Sequence, residues 1–523
     1  MTPHEARLPL RAALPAVLLV CAWPMLNFMT HNAGHQLDIA LLVSVLLPIY
    51  MFVTSLAVLG YLLLATVLGR YRHGVAAWVI TTVIAFHIYS ISLPAIEKAF
   101  RTVGLTFAPH YGYGAFFIVA PLLAAALFKS NRRLRFVTVF VYVMTGVAAA
   151  ELVWVRHSLT PLADEVVDRT YSRKSVDAAP SKTRDGPLPN VYQIVVDEYA
   201  RHDRLRNQLG FDNQPFLRTL ERRGFVVARN GGANYPWTSY SLPATLEMDY
   251  PITPEQPRLQ VKKVVGNVNN AVGAYRARGY SYGHVGSNRL GATQCADHPA
   301  VNCLTPRTTP ISTERLEVAD AYLRMTPISY FVHLLVDTNN TTTVDDVREV
   351  ASAMSLPQPF FLFAHTLAPH SPYNYGADCS PNAKVQFHLS GGLDAEKYLG
   401  ALQCVNLRLL RFVDFIHKSD PEAIVLLHSD HGTKFLLDEL QPVDAWTGEQ
   451  FRERHSILLA VRFPPRCRAS VPQNLTLVNL HRLTLACVDN VAPVLLENRF
   501  FNVPFGKTHA HGKIPVHQYP GSL

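Results

Sequence analysis

The sequence predicts two joined parts: an N-terminal multi-span α-helical membrane domain and an α/β sandwich with a largely parallel central sheet. Two observations carry this. Apolar runs dominate the first 155 residues, whereas after residue 156 the composition becomes that of a soluble globular domain. In that second part short apolar runs alternate with helical patterns, the pattern of strands buried on both faces between helices.

The apolar runs lie near 11–29, 38–69, 74–94, 111–128 and 134–155. A membrane span needs roughly 20 mostly apolar residues. The 38–69 run exceeds that, so it is expected to tilt, to kink at Pro48 or to begin at the interface. Five such runs in succession argue against buried core helices and against a cleaved signal alone. Arg7 and Arg11 precede the first run, Arg70 and Arg72 follow the second, and Lys129, Arg132, Arg133 and Arg135 lie between the fourth and fifth. With five spans these fall on one side, which positive charge assigns to the cytoplasm. The less basic loop 95–110 then lies outside, and the fifth span delivers everything after residue 156 to the outer side.

Cysteine usage agrees with that orientation. Cys21 lies in the first run, and Cys295, Cys303, Cys379, Cys404, Cys467 and Cys487 all lie in the second part. An even number in an exported domain suggests three disulfides. Chain order favours 295–303, 379–404 and 467–487, one of fifteen pairings. The net charge of +9 includes the membrane-flanking arginines and is compatible with an acidic, phosphate-rich partner. No basic–aromatic interleaving points to nucleic acid.

Residues 156–189 are polar and Pro-bearing and read as a linker. Residues 190–500 form the expected α/β domain. There VYQIVV, GFVVAR, YSYGHVGS, PFFLFAHT, AIVLLHSD and HSILLAVRF read as strands. NQPFLRTLERRG, VNNAVGAYRARG and EKYLGALQCVNLRLLRFVDFIHKS read as helices. The tail 501–523, with His509, His511 and His517, reads as a surface extension.

Ligands of such sheets sit beyond the carboxyl ends of the strands. Those ends carry Asp197 and Glu198, His365, and Asp430 with His431. Oxygen donors and imidazoles converging from separate strands suit a zinc-like metal. Adjacent Asp197 and Glu198 point to opposite faces unless the backbone turns there. In HSDHG, Gly432 permits a tight turn after Asp430 and His431. His365 and His370 are five apart, with Pro369 and Pro372 favouring a loop that folds back toward a phosphate or a second metal. The stretch YPWTSYSLPATLEMDYP gathers Thr238, Ser239, Ser241 and Thr245. It is either a capped helix start or the seat of a nucleophile.

Taken in order, these motifs resemble the alkaline phosphatase and sulfatase superfamily, and in particular its membrane-anchored branch of phosphoethanolamine transferases and lipoteichoic acid synthases. The resemblance covers roughly residues 189–463 and, more loosely, the membrane part. VVDEYARHD resembles the transferases' strand-end Glu before Thr-Ala-Arg, with Glu198 before Tyr199, Ala200 and Arg201. The sulfatases' two acids at that place make Asp197 the other candidate ligand. TSYSLP resembles Thr-x-x-Ser-x-Pro and puts the nucleophile at Thr238. HTLAPHSP matches their histidine pair at His365 and His370, and SDHG matches metal ligands at Asp430 and His431. His455, in ERHSILLAV, stands where members carry a further histidine. The chain departs from the formylglycine sulfatases in having no x-Pro-x-Arg after Thr238. It departs from the transferases in having Asp197 where they carry Gly. It also has no His in TKFLLDELQPVDAW, where Lys434 becomes the candidate instead.

The resemblance implies an alkaline phosphatase-like fold in a multi-pass protein of the bacterial cytoplasmic membrane, with its catalytic domain on the periplasmic side. It implies a divalent metal, zinc first and manganese second, held by Asp197 or Glu198 with Thr238, Asp430 and His431. It further implies transfer of phosphoethanolamine or phosphoglycerol from a phospholipid donor to an envelope glycan or glycolipid through a phosphothreonine. His365 and His370 would position the phosphate or protonate the leaving oxygen. Ser241, Pro243 and Thr245 would shape the turn and cap the helix that follows. The alternative is a sulfatase-like hydrolase (phosphodiesterase, phosphatase or atypical sulfatase), with water as acceptor.

Overall fold

The structure is a computed structural model. It describes residues 18–26, 28–29, 39–67, 139–153, 187–256, 265–286, 293, 295, 299–304, 322, 356–371, 373, 375–380, 394–437, 441–467, 469–504, 514–520 and 523. The apolar runs 74–94 and 111–128, most of the linker, and His509 and His511 lie outside them. The chain forms two compact units, one of Met1–Glu165 with Thr309–Thr338 and His388–Gly391, the other of the remaining residues.

In the first unit, α1 spans Ile39–Val67 with Pro48 inside it, and α2 spans Val139–Val153. Among the described residues α1 is the one helix long and apolar enough to cross a membrane. Its Leu47, Met51, Phe52, Leu56, Leu59 and Leu63 are exposed, an arrangement that water penalises and hydrocarbon does not. Leu46 packs with Phe28, Met29 and Tyr322 in a small cluster.

The second unit is built on β1 (Val191–Val196), α3 (His202–Leu209), α4 (Gln214–Arg222), β2 (Val226–Val227), α5 (Thr238–Glu247) and α6 (Asn270–Arg276). They are followed by β3 (Ser281–Val285), β4 (Asn302–Cys303), β5 (Phe360–Thr366), α7 (Ala395–Ser419) and β6 (Ile424–Ser429). Last come α8 (Gly448–His455), β7 (Leu459–Arg462), α9 (Leu480–Asp489), β8 (Phe500–Asn502) and β9 (His517–Tyr519). The main sheet runs β2-β7-β6-β1-β5-β3-β4. All its pairings are parallel except those of β7 with β6 and β2.

Side chains alternate across this sheet, and each face has its own core. Tyr192, Ile194 and Val196 pack with Leu205, Phe216 and Phe412 of α3, α4 and α7. Val191 and Val195 pack with Leu242, Val272 and Leu483 of α5, α6 and α9. The shared register is what creates a site: Val196 is level with Thr366 of β5 and Ser429 of β6. Asp197 and Asp430 therefore leave neighbouring strands at the same height. The disulfides are 295–303, 379–404 and 467–487, the pairing that chain order favoured.

The central strands are not wholly apolar. Gln193, His284, His365 and His428 are buried along the second face. A chain of hydrogen bonds accounts for two of them. The Tyr275 hydroxyl donates to His481 Nδ1 at 3.2 Å, and His481 Nε2 donates to Gln193 Oε1 at 3.0 Å. The Gln193 amide donates to His428 Nε2 at 2.9 Å, and His428 Nδ1 donates to Ser429 O at 2.8 Å. Each imidazole has one acceptor and one donor nitrogen in use, so the chain works only with neutral rings.

Burial holds His481 down at about 3 and His284 at about 4. Both lie below the unfolded value near 6.5. Below that value the unfolded chain binds protons that the fold refuses, so this stability is complete above about pH 6.5 and drains away as pH falls toward 4. The slope is roughly 1.4 kcal/mol per pH unit per histidine. His481→Gln, which keeps a donor and an acceptor, is expected to unfold with a shallower acid dependence than wild type in denaturant titrations between pH 7.5 and 4.5. Equal slopes would contradict a neutral His481.

The tail departs from the expectation of a surface extension. β8 and β9 pair antiparallel, and Phe500, Phe501, Val503 and Ile514 are buried. Phe501, Val503 and Ile514 join Tyr235, Trp237, Tyr240 and Trp446 in one cluster. The physical reason is apolar content: Phe501, Val503 and Ile514 are removed from water together.

Candidate active site

The site forms where β1 and β6 end and α5 begins. Glu198 adopts φ 60°, a left-handed conformation that costs a non-glycine residue about 1 kcal/mol. It turns the chain as β1 ends, so that the Asp197 and Glu198 carboxylates meet different partners. Its backbone N–H donates to Asp430 Oδ1 at 3.2 Å, which holds the turn against the second ligand-bearing loop. In that loop Gly432 is required by space, since a Cβ there would lie 2.0 Å from Glu453 O.

Thr238 is the first residue of α5, and the extended Trp237 precedes it. Thr238 Oγ1 donates to Asp430 Oδ2 at 2.6 Å and lies 3.1 Å from His431 Nε2. His431 Nδ1 donates to Gly432 O at 3.1 Å, which leaves the Nε2 lone pair facing the site. Nε2 is 3.6 Å from Asp197 Oδ1 and 3.4 Å from Asp430 Oδ2. Ser241 and Thr245 do not cap α5; they lie inside it, as does Pro243. Ser241 Oγ donates to Asp430 O at 2.6 Å and so ties the helix to the loop that follows β6.

Asp197, Asp430 and His431 offer ligand atoms that all lie within 4.8 Å of one another. Asp197 Oδ1 is buried without a hydrogen-bond partner. Burial, then the charges of Asp430 and Glu198, hold the Asp197 carboxyl well above its usual range. Burial also raises Asp430, against the hydrogen bond from Thr238. Burial and then the Arg454 charge push His431 well below its ordinary value. A divalent cation removes the frustration of this donor set: it pairs the carboxylates, takes the Nε2 lone pair and engages the orphaned oxygen. Two carboxylates, one imidazole and one hydroxyl suit zinc or manganese.

The other predicted residues fall in distinct places. Glu198 turns its carboxylate to Arg454 Nη1 at 3.4 Å and to His370 Nε2 at 3.7 Å, beside the ligand group rather than in it. His370 is partly exposed, and its Nδ1 donates to Ser371 O at 2.6 Å. His365 is enclosed, with Nε2 3.7 Å from Asp197 Oδ2 and no hydrogen-bond partner on either nitrogen. Burial, then nearby His284, His428 and His370, hold it at about 3. It backs Asp197 rather than facing solvent, so of the pair only His370 lies open to a substrate. Lys434 sits on the loop that Glu453 clamps through the backbone N–H of Phe435 and Leu436, at 2.7 and 2.9 Å. The Lys434 charge acts on both Asp197 and His431. His455 is not brought to the cluster: Nδ1 is held by Ala233 O at 2.7 Å and Nε2 by Asn502 Oδ1 at 3.1 Å.

Sequence reasoning missed Arg454, next to His455 in ERHSILLAV. The available signal was a pair of charges, Glu453 and Arg454, directly before an apolar strand. Both are buried and engaged with the site's loops.

The sulfatase family profile matches residues 189–453. Among solved structures, the chain is similar to the zinc complex of the C-terminal periplasmic domain of EcEptC from Escherichia coli. Identity is 14%, coverage 58% of this chain and 83% of that one, and the TM-score 0.38. It is similar to the soluble domain of lipooligosaccharide phosphoethanolamine transferase A from Neisseria meningitidis (14%, 58% and 89%, TM-score 0.38). It is also similar to the phosphonate monoester hydrolase SpPMH from Silicibacter pomeroyi (15%, 60% and 79%, TM-score 0.38). No curated protein sequence matches the chain.

Proposed function

The chain belongs to the sulfatase family of enzymes, and from that premise we propose that it is a metal-dependent, membrane-anchored transferase of phosphorylated lipid head groups. It moves phosphoethanolamine or phosphoglycerol from a phospholipid to an envelope glycan or glycolipid through a phosphothreonine at Thr238. The observation that carries this is the position of Thr238 Oγ1, 2.6 Å from Asp430 Oδ2 and 3.1 Å from His431 Nε2, at the first turn of a helix. A helix start favours a bound anion, and a hydroxyl in that position is aimed at it. The exposed apolar surface of α1 supports a membrane anchor, with the multi-span domain and the periplasmic side taken from the loop charges.

Zinc or manganese, when bound, supplies positive charge that acidifies the hydroxyl and offsets the phosphate oxygens. The chain supplies the rest. Thr238 Oγ1 bonds to phosphorus as the bond to the diacylglycerol oxygen breaks. The threonine proton passes to Asp430 Oδ2, already its acceptor. The leaving oxygen takes a proton from His370 Nε2, whose ring is oriented by the Nδ1 hydrogen bond to Ser371 O. An acceptor hydroxyl then attacks phosphorus and gives its proton to His370, as the bond from phosphorus to Thr238 Oγ1 breaks and Asp430 Oδ2 returns its proton to Oγ1. His370→Gln is expected to slow turnover about 10²–10⁴-fold without weakening metal binding, as steady-state kinetics and metal analysis would show. Unchanged turnover would remove His370 from this role.

The family match favours a second reading equally: the same phosphothreonine hydrolysed by water. Product analysis separates the two. The full-length protein in detergent is incubated with head-group-labelled phosphatidylethanolamine and phosphatidylglycerol, metal and a crude envelope glycolipid fraction. Diacylglycerol release with label on the glycolipid supports transfer. Release with free phosphoethanolamine or glycerol phosphate supports hydrolysis, and no release from either lipid counts against a lipid donor.

A further inference from the structure

Arg454 is the largest of the fully buried side chains. A guanidinium is costly to bury unless its charge and donors are used. Here they reach all three segments that build the metal centre. Nη1 donates to Gly432 O at 2.5 Å and lies 3.4 Å from Glu198 Oε1. Nη2 donates to Pro236 O, two residues before Thr238. The guanidinium carbon lies 4.2 Å from the ring centre of Trp237, the residue just before Thr238. The backbone closes the loop from the other side, with Gly432 N donating to Arg454 O at 2.8 Å.

Gly432 O is the telling atom. It accepts from Arg454 Nη1 and also from His431 Nδ1. The second bond leaves the His431 Nε2 lone pair free for a metal. Whatever fixes Gly432 O therefore fixes the tautomer and direction of His431.

We infer that Arg454 is a positioning residue that assembles the metal centre, locking Gly432 O behind His431, Glu198 beside Asp197, and the approach of the chain to Thr238. The inference rests on the metal-centre reading above. Lysine would keep the charge but would replace the two guanidinium nitrogens that reach Gly432 O and Pro236 O with a single ammonium nitrogen.

The test uses the full-length protein in detergent. Zinc affinity is measured by competition with a chromophoric chelator, and the melting temperature is measured in excess EDTA. Arg454→Lys is expected to bind zinc about 10–100-fold more weakly, with a melting temperature in EDTA within a few degrees of wild type. Wild-type zinc affinity in Arg454→Lys would overturn the inference. So would a loss of affinity matched by a large fall in EDTA stability, because that is a general structural role. If Arg454→Lys does not fold, Trp237→Leu decides. That variant removes the face under the guanidinium and keeps every hydrogen-bond acceptor, and it is expected to weaken zinc severalfold. Unchanged affinity there overturns the inference. Wild type that binds neither zinc nor manganese would instead bring down the metal-centre reading itself.

Discussion

Thr238→Ala is expected to lower turnover by at least about 10³-fold while leaving the fold intact. Among the described residues the Thr238 hydroxyl is the side-chain hydroxyl that touches the side chains of both Asp430 and His431. No neighbour replaces it: Ser241 Oγ is committed to Asp430 O, and Thr245 Oγ1 to Ser241 O. The stability cost is modest, about 1–2 kcal/mol for a buried acceptor that loses its donor. Thr238→Ser keeps the oxygen and should keep measurable turnover. Steady-state rates beside melting curves separate loss of chemistry from loss of fold. A Thr238→Ala enzyme with more than a tenth of wild-type turnover would rule out a phosphothreonine intermediate.

Asp430→Asn is the second large effect, and it has two opposite signs. In EDTA the variant should melt at or above wild type. Burial disfavours a charge at Asp430, burial and then the Asp430 and Glu198 charges disfavour one at Asp197, and the amide removes one of those charges. The amide also fits the geometry: its oxygen can accept from Glu198 N and His431 N, and its NH₂ can donate to Thr238 Oγ1. In zinc the order reverses. Wild type gains about 2.7 kcal/mol at a hundredfold excess over Kd, and a variant lacking a charged ligand gains almost none. Differential scanning fluorimetry with and without metal reads both signs. Equal zinc shifts in the two proteins would remove Asp430 from the metal centre.

Much of this was legible in the chain. VYQIVV, PFFLFAHT and AIVLLHSD are short, apolar and bounded by turn residues, and they became the three central strands. Their ends named Asp197, His365, Asp430 and His431, because parallel strands in shared register must release their next residues at one edge. Three things were not legible. The division of labour between Asp197 and Glu198 depends on a left-handed φ at Glu198, which no periodicity encodes. The enclosure of His365 depends on β5 being covered on both faces, which its position at a strand end does not encode. The burial of Arg454 depends on contacts with Glu198, Gly432 and Pro236, which are remote in sequence. The packing of the tail was hidden because its histidines are polar, whereas the burial is carried by the few apolar residues Phe501, Val503 and Ile514.

The central claim is that Thr238 carries the transferred group. The most direct test is peptide mass spectrometry of the full-length protein, quenched in acid after brief incubation with zinc and phosphatidylethanolamine or phosphatidylglycerol without acceptor. The account predicts a phosphoethanolamine or phosphoglycerol adduct on Thr238, matched by released diacylglycerol and missing from Thr238→Ala. Diacylglycerol released by wild type with Thr238 unmodified, or an adduct that persists in Thr238→Ala, would contradict it.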